Sequence, residues 1–96
     1  LPQLAHERTS AYLVREVPAL SGTTPVAVVD MKVPSLTFYL DKVPEQIDMA
    51  HLEARLSRGG PLLLVFDEDD LPLAPPGALA VLTEVGRRGK YVVFRL

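Results

Sequence analysis

Acidic side chains at the ends of apolar segments are the residues of this chain that could do chemistry. Asp30 follows the apolar run of residues 26–29, and Asp67 opens an acidic run, residues 67–70, after a second apolar run, residues 62–66. Ligands of parallel sheets gather beyond the carboxyl ends of the strands, where carboxylate oxygens can hold Mg²⁺ or Ca²⁺. The other interpretation is a solvated acidic turn that accepts hydrogen bonds from nearby backbone amides. Because no nucleophile motif or phosphate-binding loop accompanies these carboxylates, we predict no metal site, and Asp30 and Asp67 remain its only candidates.

Histidine, serine and glycine offer no better catalytic set. His6 and His51 lie far apart, each among charged residues of a predicted helix, as surface histidines do. Ser35 follows a strand as a hydrolase nucleophile does, but the flanking glycines of that turn are missing, which favours a helix cap. The glycines form no nucleotide-binding loop, and the chain has no cysteine for thiolate or zinc chemistry. We therefore predict no catalytic residue and no cofactor, and a small hydrolase has no triad to support it.

Two aromatic residues in a short helical segment could serve either a ligand or the core. Leu36, Tyr39 and Leu40 recur at helical spacing after Pro34, which suits a first helical position. Phe38 and Tyr39 could stack on a sugar, but a short helix of this composition is expected to bury most of its apolar side chains.

Segments of strand type and of helical period alternate along the chain. The predicted strands cover residues 26–30, 43–47, 62–66 and 91–95. The predicted helices cover residues 4–17, 34–40, 49–58 and 77–85. This alternation predicts one α/β domain, residues 1–96, with a small, mainly parallel Rossmann-like sheet in a three-layer arrangement with helices on both faces. Right-handed crossovers favour the strand order 2-1-3-4, and Pro44 places the second strand at an edge.

Composition excludes some classes of partner. The 96 residues are 48% hydrophobic and carry a net charge of −2, so nothing steers the chain electrostatically toward nucleic acid. No apolar run approaches the roughly 18 residues that a bilayer-spanning helix needs. The chain begins at Leu1 without methionine and ends in an apolar, strand-like segment. We therefore expect it to have been cut from a longer protein whose membrane segments precede Leu1.

Residues 28–43 carry a resemblance to a known family. Val28-Val29-Asp30 is followed by Pro34-Ser35-Leu36, then by Phe38-Tyr39-Leu40 and Val43. This pattern resembles the soluble carboxyl-terminal domain of bacterial multi-pass glycosyltransferases, relatives of aminoarabinose transferase and of protein mannosyltransferases that use polyprenyl-phosphate sugars. That domain opens with a helix and continues with a strand, a Ser-Leu-x-Phe-Tyr segment, an edge strand, a helix, a hydrophobic strand, a helix and a closing strand. The same order is predicted here for residues 4–96.

The resemblance implies a non-catalytic role at the periplasmic face of the bacterial inner membrane. The implied partners are the membrane-embedded remainder of the same chain and a lipid-linked sugar or its acceptor, with Tyr39 and Lys42 as substrate-binding candidates. Family members often carry a Gly-Arg pair after the Phe-Tyr segment, where this chain has Asp41-Lys42. Lys42 keeps a cation but cannot form the bidentate contacts of arginine. The family's catalytic acid and its metal and lipid-phosphate ligands lie in the membrane portion, so none is implied here.

A second hypothesis comes from another functional class. A free-standing, receiver-like regulatory or interaction module would use an acidic cation site, which would bring Asp30 and Asp67 together around Mg²⁺. Such a module would also require an intact amino terminus, against which the missing methionine counts. The reading frame upstream of Leu1 and the response to divalent cations separate the two hypotheses.

Overall fold

The computed structural model describes residues 11–31, 34–40 and 42–96, apart from the side chains of three residues in the 34–40 helix, Pro34, Ser35 and Phe38. The predictions made for His6, for the beginning of the first helix, and for the side chains of Ser35 and Phe38 lie outside the described part of the chain.

Four short helices and five strands make up the described chain. The helices are α1 (residues 11–16), α2 (Pro34–Leu40), α3 (Leu52–Ser57) and α4 (Pro76–Ala80). The strands are β1 (Val26–Val29), β2 (Glu45–Ile47), β3 (Leu63–Asp67), β4 (Thr83–Arg88) and β5 (Tyr91–Arg95). Three 3-10 helices, Pro18–Ser21, Met49–His51 and Glu68–Leu73, lie in the connections.

The strands form one mixed sheet in the order β2-β1-β3-β5-β4. β1 runs parallel to both β2 and β3, whereas β5 is antiparallel to β3 and β4 is antiparallel to β5. The α/β class, the order of the first three strands and the edge position of the second strand are therefore confirmed. The fourth predicted strand, residues 91–95, also lies next to β3, so the order 2-1-3-4 of the four predicted strands is confirmed. That strand, β5, is antiparallel to β3, so the sheet is mixed and not mainly parallel, and the prediction missed a fifth strand, β4, at the far edge.

The predicted helix over residues 77–85 is the largest local error. α4 ends at Ala80, and residues 83–88 form β4 instead. The i, i+3, i+6 spacing of Leu79, Leu82 and Val85 imitates one helical face, yet Leu79 and Leu82 pack on one side of the sheet and Val85 on the other. Gly89, with φ of 58°, supplies the turn that pairs this segment with β5.

Apolar side chains alternate between two buried clusters, one on each side of the sheet. Within β1, for example, Val26 and Val28 belong to the first cluster, and Ala27 and Val29 belong to the second. The first cluster also takes its helical side chains from α1 and α2. The second cluster takes its helical side chains from α3 and α4. Burial on both sides explains why β1 reads as a continuous apolar run.

No helix in the described ranges has the length and apolar character that crossing a bilayer requires.

Candidate functional site

Asp30 lies where β1 ends at the carboxyl edge of the sheet. Its φ of 52° falls in the left-handed region, which aspartate tolerates better than most residues. Its backbone N–H donates to the carbonyl of Ile47 at 2.8 Å, and its Oδ2 accepts from the backbone N–H of Met49 at 3.1 Å. Asp30 therefore links the end of β1 to the end of β2 and to the helical segment that follows.

Asp48 caps the same helical segment, as its sequence position predicts. Its Oδ1 accepts from the backbone N–H of His51 at 3.0 Å and also contacts Nδ1 of the His51 ring. The hydrogen bond with the His51 side chain is the main cause that lowers the pKa of Asp48 below its ordinary value of 3.8. The His51 side chain is 77% exposed, which confirms that this histidine is a surface residue.

A shallow depression of about 440 Å³ lies between these carboxylates. Its lining comes from the residues that follow β1 and from the end of β2, namely Asp30, Met31, Gln46, Ile47 and Asp48. The two carboxylates and the Gln46 amide could accept hydrogen bonds from a hydroxylated ligand. Both carboxylates already accept from backbone amides of the segment before α3, so they also have a structural role. Neither Gln46 nor the depression was predicted from the sequence. The sequence feature that could have indicated them is the predicted edge strand, whose end comes to lie beside Asp30.

The acidic run after β3 is held by local contacts. Asp67 Oδ1 accepts from the backbone N–H of Asp69 at 2.9 Å, which is the kind of local bond the acidic-turn interpretation predicts. Asp69 Oδ2 accepts from Lys90 Nζ at 2.7 Å, and the hydrogen bond with this carboxylate raises the pKa of Lys90. Glu68 Oε2 accepts from Arg87 at 3.4 Å. The Glu68 and Asp69 carboxylates therefore contact the β4–β5 hairpin.

Tyr39 and Lys42 occupy a different part of the molecule. Lys42 Nζ donates to the carbonyls of Gly22 and Thr24 at 2.8 and 2.7 Å, in the loop before β1. Tyr39 is 40% exposed, so the expectation of core packing is wrong for this residue. A seven-residue helix directs only one stripe inward, and Leu36 and Leu40, four residues apart, occupy it.

Lys42 does not share a site with the carboxylate candidates Asp30 and Asp67. Asp30 follows β1 and Asp67 is the last residue of β3, so both lie at the carboxyl ends of strands that pair in parallel. Lys42 contacts the loop that precedes β1, so it lies toward the amino-terminal end of that strand, opposite to the end that carries Asp30. Within the described residues, no group of three or more histidine, cysteine, aspartate or glutamate side chains could hold a metal ion. The structure therefore offers a polar depression beside Asp30 and a separate, exposed Tyr39.

Comparisons with known proteins do not extend this description. No protein-family model matches the chain, and neither the curated proteins nor the solved structures include a significant match. The functional interpretation therefore rests on the residues and on their geometry.

We expect millimolar Mg²⁺ or Ca²⁺ to leave the melting temperature unchanged, because Asp30 and Asp67 each accept from a backbone amide and no third carboxylate or histidine of the described residues joins them. A cation bound at a hundredfold excess over its dissociation constant would add about 2.7 kcal/mol, a shift of several degrees in a domain of this size. Thermal melting with and without the cation measures this, with Asp30→Asn and Asp67→Asn as controls. A rise that either substitution abolishes would contradict the prediction and support the receiver-like hypothesis.

The Asp48 cap makes stability depend on pH in acid. Because the pKa of Asp48 is lower in the folded state, its ionised form stabilises the fold fully above the unfolded value of 3.8. This contribution is lost as pH falls through the lower, folded pKa. Urea unfolding of the wild type and of Asp48→Asn should differ by a constant amount well above pH 3.8 and converge below it. A difference that grows in acid would contradict this assignment.

Proposed function

We propose that this chain is the carboxyl-terminal extracytoplasmic domain of a bacterial membrane glycosyltransferase. The parent enzyme moves a sugar from a polyprenyl-phosphate carrier to lipid or protein, and this domain supports, shields or helps to select the acceptor without performing the chemistry. The observation that carries the proposal is the segment from β1 through α2. There Asp30 follows an apolar strand, β1, and the next element is a short helix, α2, that carries the Ser-Leu-Thr-Phe-Tyr pattern.

The finer architecture that we propose is a three-layer, Rossmann-like domain. Two facts support it: β2, β1 and β3 are parallel, and a buried cluster with helical side chains lies on each side of the sheet. The β4–β5 hairpin adds one strand to the order of elements that the resemblance implies. This addition extends the sheet at one edge and leaves the parallel half unchanged.

Within this proposal the two substrate-binding candidates have different roles. Tyr39 offers an exposed aromatic ring, the kind of surface on which a sugar can stack. Lys42 is a positioning residue, because its ammonium group holds the end of the α2 segment to the carbonyls of Gly22 and Thr24. The domain lies at the periplasmic face of the inner membrane, and its partner is the membrane-embedded remainder of the same chain.

The distribution of charge supports a function that does not involve binding of nucleic acid. The basic side chains of the hairpin pair with nearby carboxylates: Arg87 with Glu84, Arg88 with Glu16, and Lys90 with Asp69. Cations neutralised in this way do not form the basic surface that phosphate backbones require.

The coding sequence upstream of Leu1 tests the proposal directly. We expect several apolar segments of about 20 residues there, as a multi-pass membrane enzyme requires. A start codon within a few residues of Leu1 would refute the glycosyltransferase assignment. The isolated domain should neither transfer nor hydrolyse a sugar, because the described residues combine no nucleophile, base and oxyanion donor. Release of sugar from a polyprenyl-phosphate donor by the isolated domain would refute the non-catalytic role.

A further inference from the structure

β4 forms one end of the sheet and is its longest strand. It pairs with β5 on one side, and no strand of the described ranges pairs with its other side. A strand at the edge of a sheet presents backbone donors and acceptors on which another strand can pair. All of its residues except Val85 and Gly86 are exposed. The outer edge of β4 is therefore a surface on which a partner strand could dock.

The register of the hairpin shows which side chains of β4 share a face. Glu84 and Arg87 lie opposite Phe94 and Val92, and both of these β5 residues belong to the second cluster. Glu84 and Arg87 accordingly lie on the same face, where Arg87 donates to Glu84 Oε1 at 3.1 Å. Opposite residues of paired strands share a face. An antiparallel copy of β4, related by a twofold axis between residues 85 and 86, would therefore place its Arg87 opposite Glu84.

We propose that β4 is a self-association edge that pairs antiparallel with β4 of a second copy of this chain. The two copies form one continuous sheet about a twofold axis, so the interface closes at a dimer. Glu84 of each copy faces Arg87 of the other, so the Glu84–Arg87 pair that exists within each chain becomes half of a four-residue ion-pair network across the axis. The net charge of −2 per chain adds little repulsion between the copies.

The irregularity of β4 selects this register. The pairing of β4 with β5 shifts between Glu84 and Gly86, as at a β-bulge. Bulges and charges at an edge normally prevent indiscriminate pairing, because a flat partner strand cannot follow them. In the twofold pairing the two irregular segments lie opposite each other at the axis, and the acidic end of each strand meets the basic end of its partner. Within β4 only one other register, with Glu84 opposite Arg88, brings opposite charges together. It is excluded because Arg88 pairs with Tyr91 of the first cluster and therefore lies on the other face of the strand from Glu84.

Charge reversal combined with measurement of mass tests this interface. Sedimentation equilibrium of the 96-residue chain, from micromolar to millimolar concentration, should show a mass that rises to twice the monomer mass of 10.5 kDa. Glu84→Arg and Arg87→Glu should each abolish the dimer, because each places like charges across the axis. The double reversal Glu84→Arg/Arg87→Glu should restore it. Glu53→Arg, an exposed reversal on α3, is the matched control and should leave the dimer intact.

The outcomes of this experiment are distinct. Melting curves first establish that each variant is folded, as expected for substitutions at exposed positions. A wild type that stays monomeric throughout the concentration range would overturn the proposal. A dimer that survives both single reversals would overturn it as well, because the contact would then lie elsewhere. Species larger than a dimer would also refute closure about a twofold axis.

Discussion

Phe66→Ala is expected to lower the free energy of unfolding by about 3–5 kcal/mol, the range for removing a large aromatic side chain from a core. Phe66 lies in β3, next to its last residue, and is fully buried in the second cluster. Its ring meets that of Phe94 edge-on, with the centroids 5.4 Å apart and an interplanar angle of 86°. The substitution removes both the buried apolar area and this aromatic contact, and neighbouring side chains cannot fill the space without shifting the sheet.

Urea denaturation measures the Phe66→Ala effect, and two further variants calibrate it. Phe66→Leu keeps most of the apolar volume, so its loss should be well below that of alanine. Val43→Ala removes a side chain that is 85% exposed and should change stability by no more than about 0.5 kcal/mol. A loss below about 1 kcal/mol for Phe66→Ala would contradict the central position of β3 in the core.

Gly86→Ala is expected to destabilise the fold by about 1–3 kcal/mol, as other overpacked sites do. A Cβ atom at position 86 would lie 2.5 Å from Cγ2 of Val17, far inside van der Waals contact. Val17 is buried, with 3% of its surface exposed, and its β-branched side chain has few alternative rotamers. The alanine methyl group would therefore push apart β4 and the chain segment that follows α1.

A matched glycine and a double-mutant cycle test the cause of this effect. No atom lies within 4 Å of a Cβ built at Gly77, so Gly77→Ala in α4 should be neutral or stabilising by up to about 1 kcal/mol. In a Val17→Ala background the clash is removed, and Gly86→Ala should cost much less than it does in the wild type. Equal costs of Gly86→Ala in both backgrounds would show that the contact with Val17 is not responsible.

The parallel half of the sheet was predictable because its signals are local. The continuous apolar run at β1 reports burial on both faces, and Pro44 signals the edge position of β2. Asp48 stands immediately before the predicted helix over residues 49–58, and its capping role can be predicted from the sequence because capping depends on a side chain and the backbone only a few residues away. Leu13, Val17 and Leu20 are spaced four and three residues apart, and this helical spacing predicts that they face the core together, as they do in the first cluster. They do so although α1 ends at residue 16 and Leu20 lies in a 3-10 helix.

The candidate site was only partly predictable, because sequence positions do not report which edge of the sheet a side chain reaches. The carboxyl-edge placement of Asp30 followed from the strand before it. The depression did not, because it forms where the end of β2 comes beside Asp30 across the sheet. Lys42 was a candidate ligand because it keeps a cation where the resembled family often has a Gly-Arg pair, and only the fold places its ammonium group against the Gly22 and Thr24 carbonyls.

The sequence by itself determined the α/β class, the parallel order of β2, β1 and β3, and the absence of a thiol. Tertiary structure alone decided the far edge of the sheet. The segment after α4 has a pattern compatible with a helix, but as β4 it pairs with β5 and directs Val85 to the opposite cluster from Leu79 and Leu82. Strand pairing stabilises the extended conformation of a segment by contacts with a partner strand elsewhere in the chain. The periodicity of the segment itself does not depend on that partner, so it cannot predict the pairing.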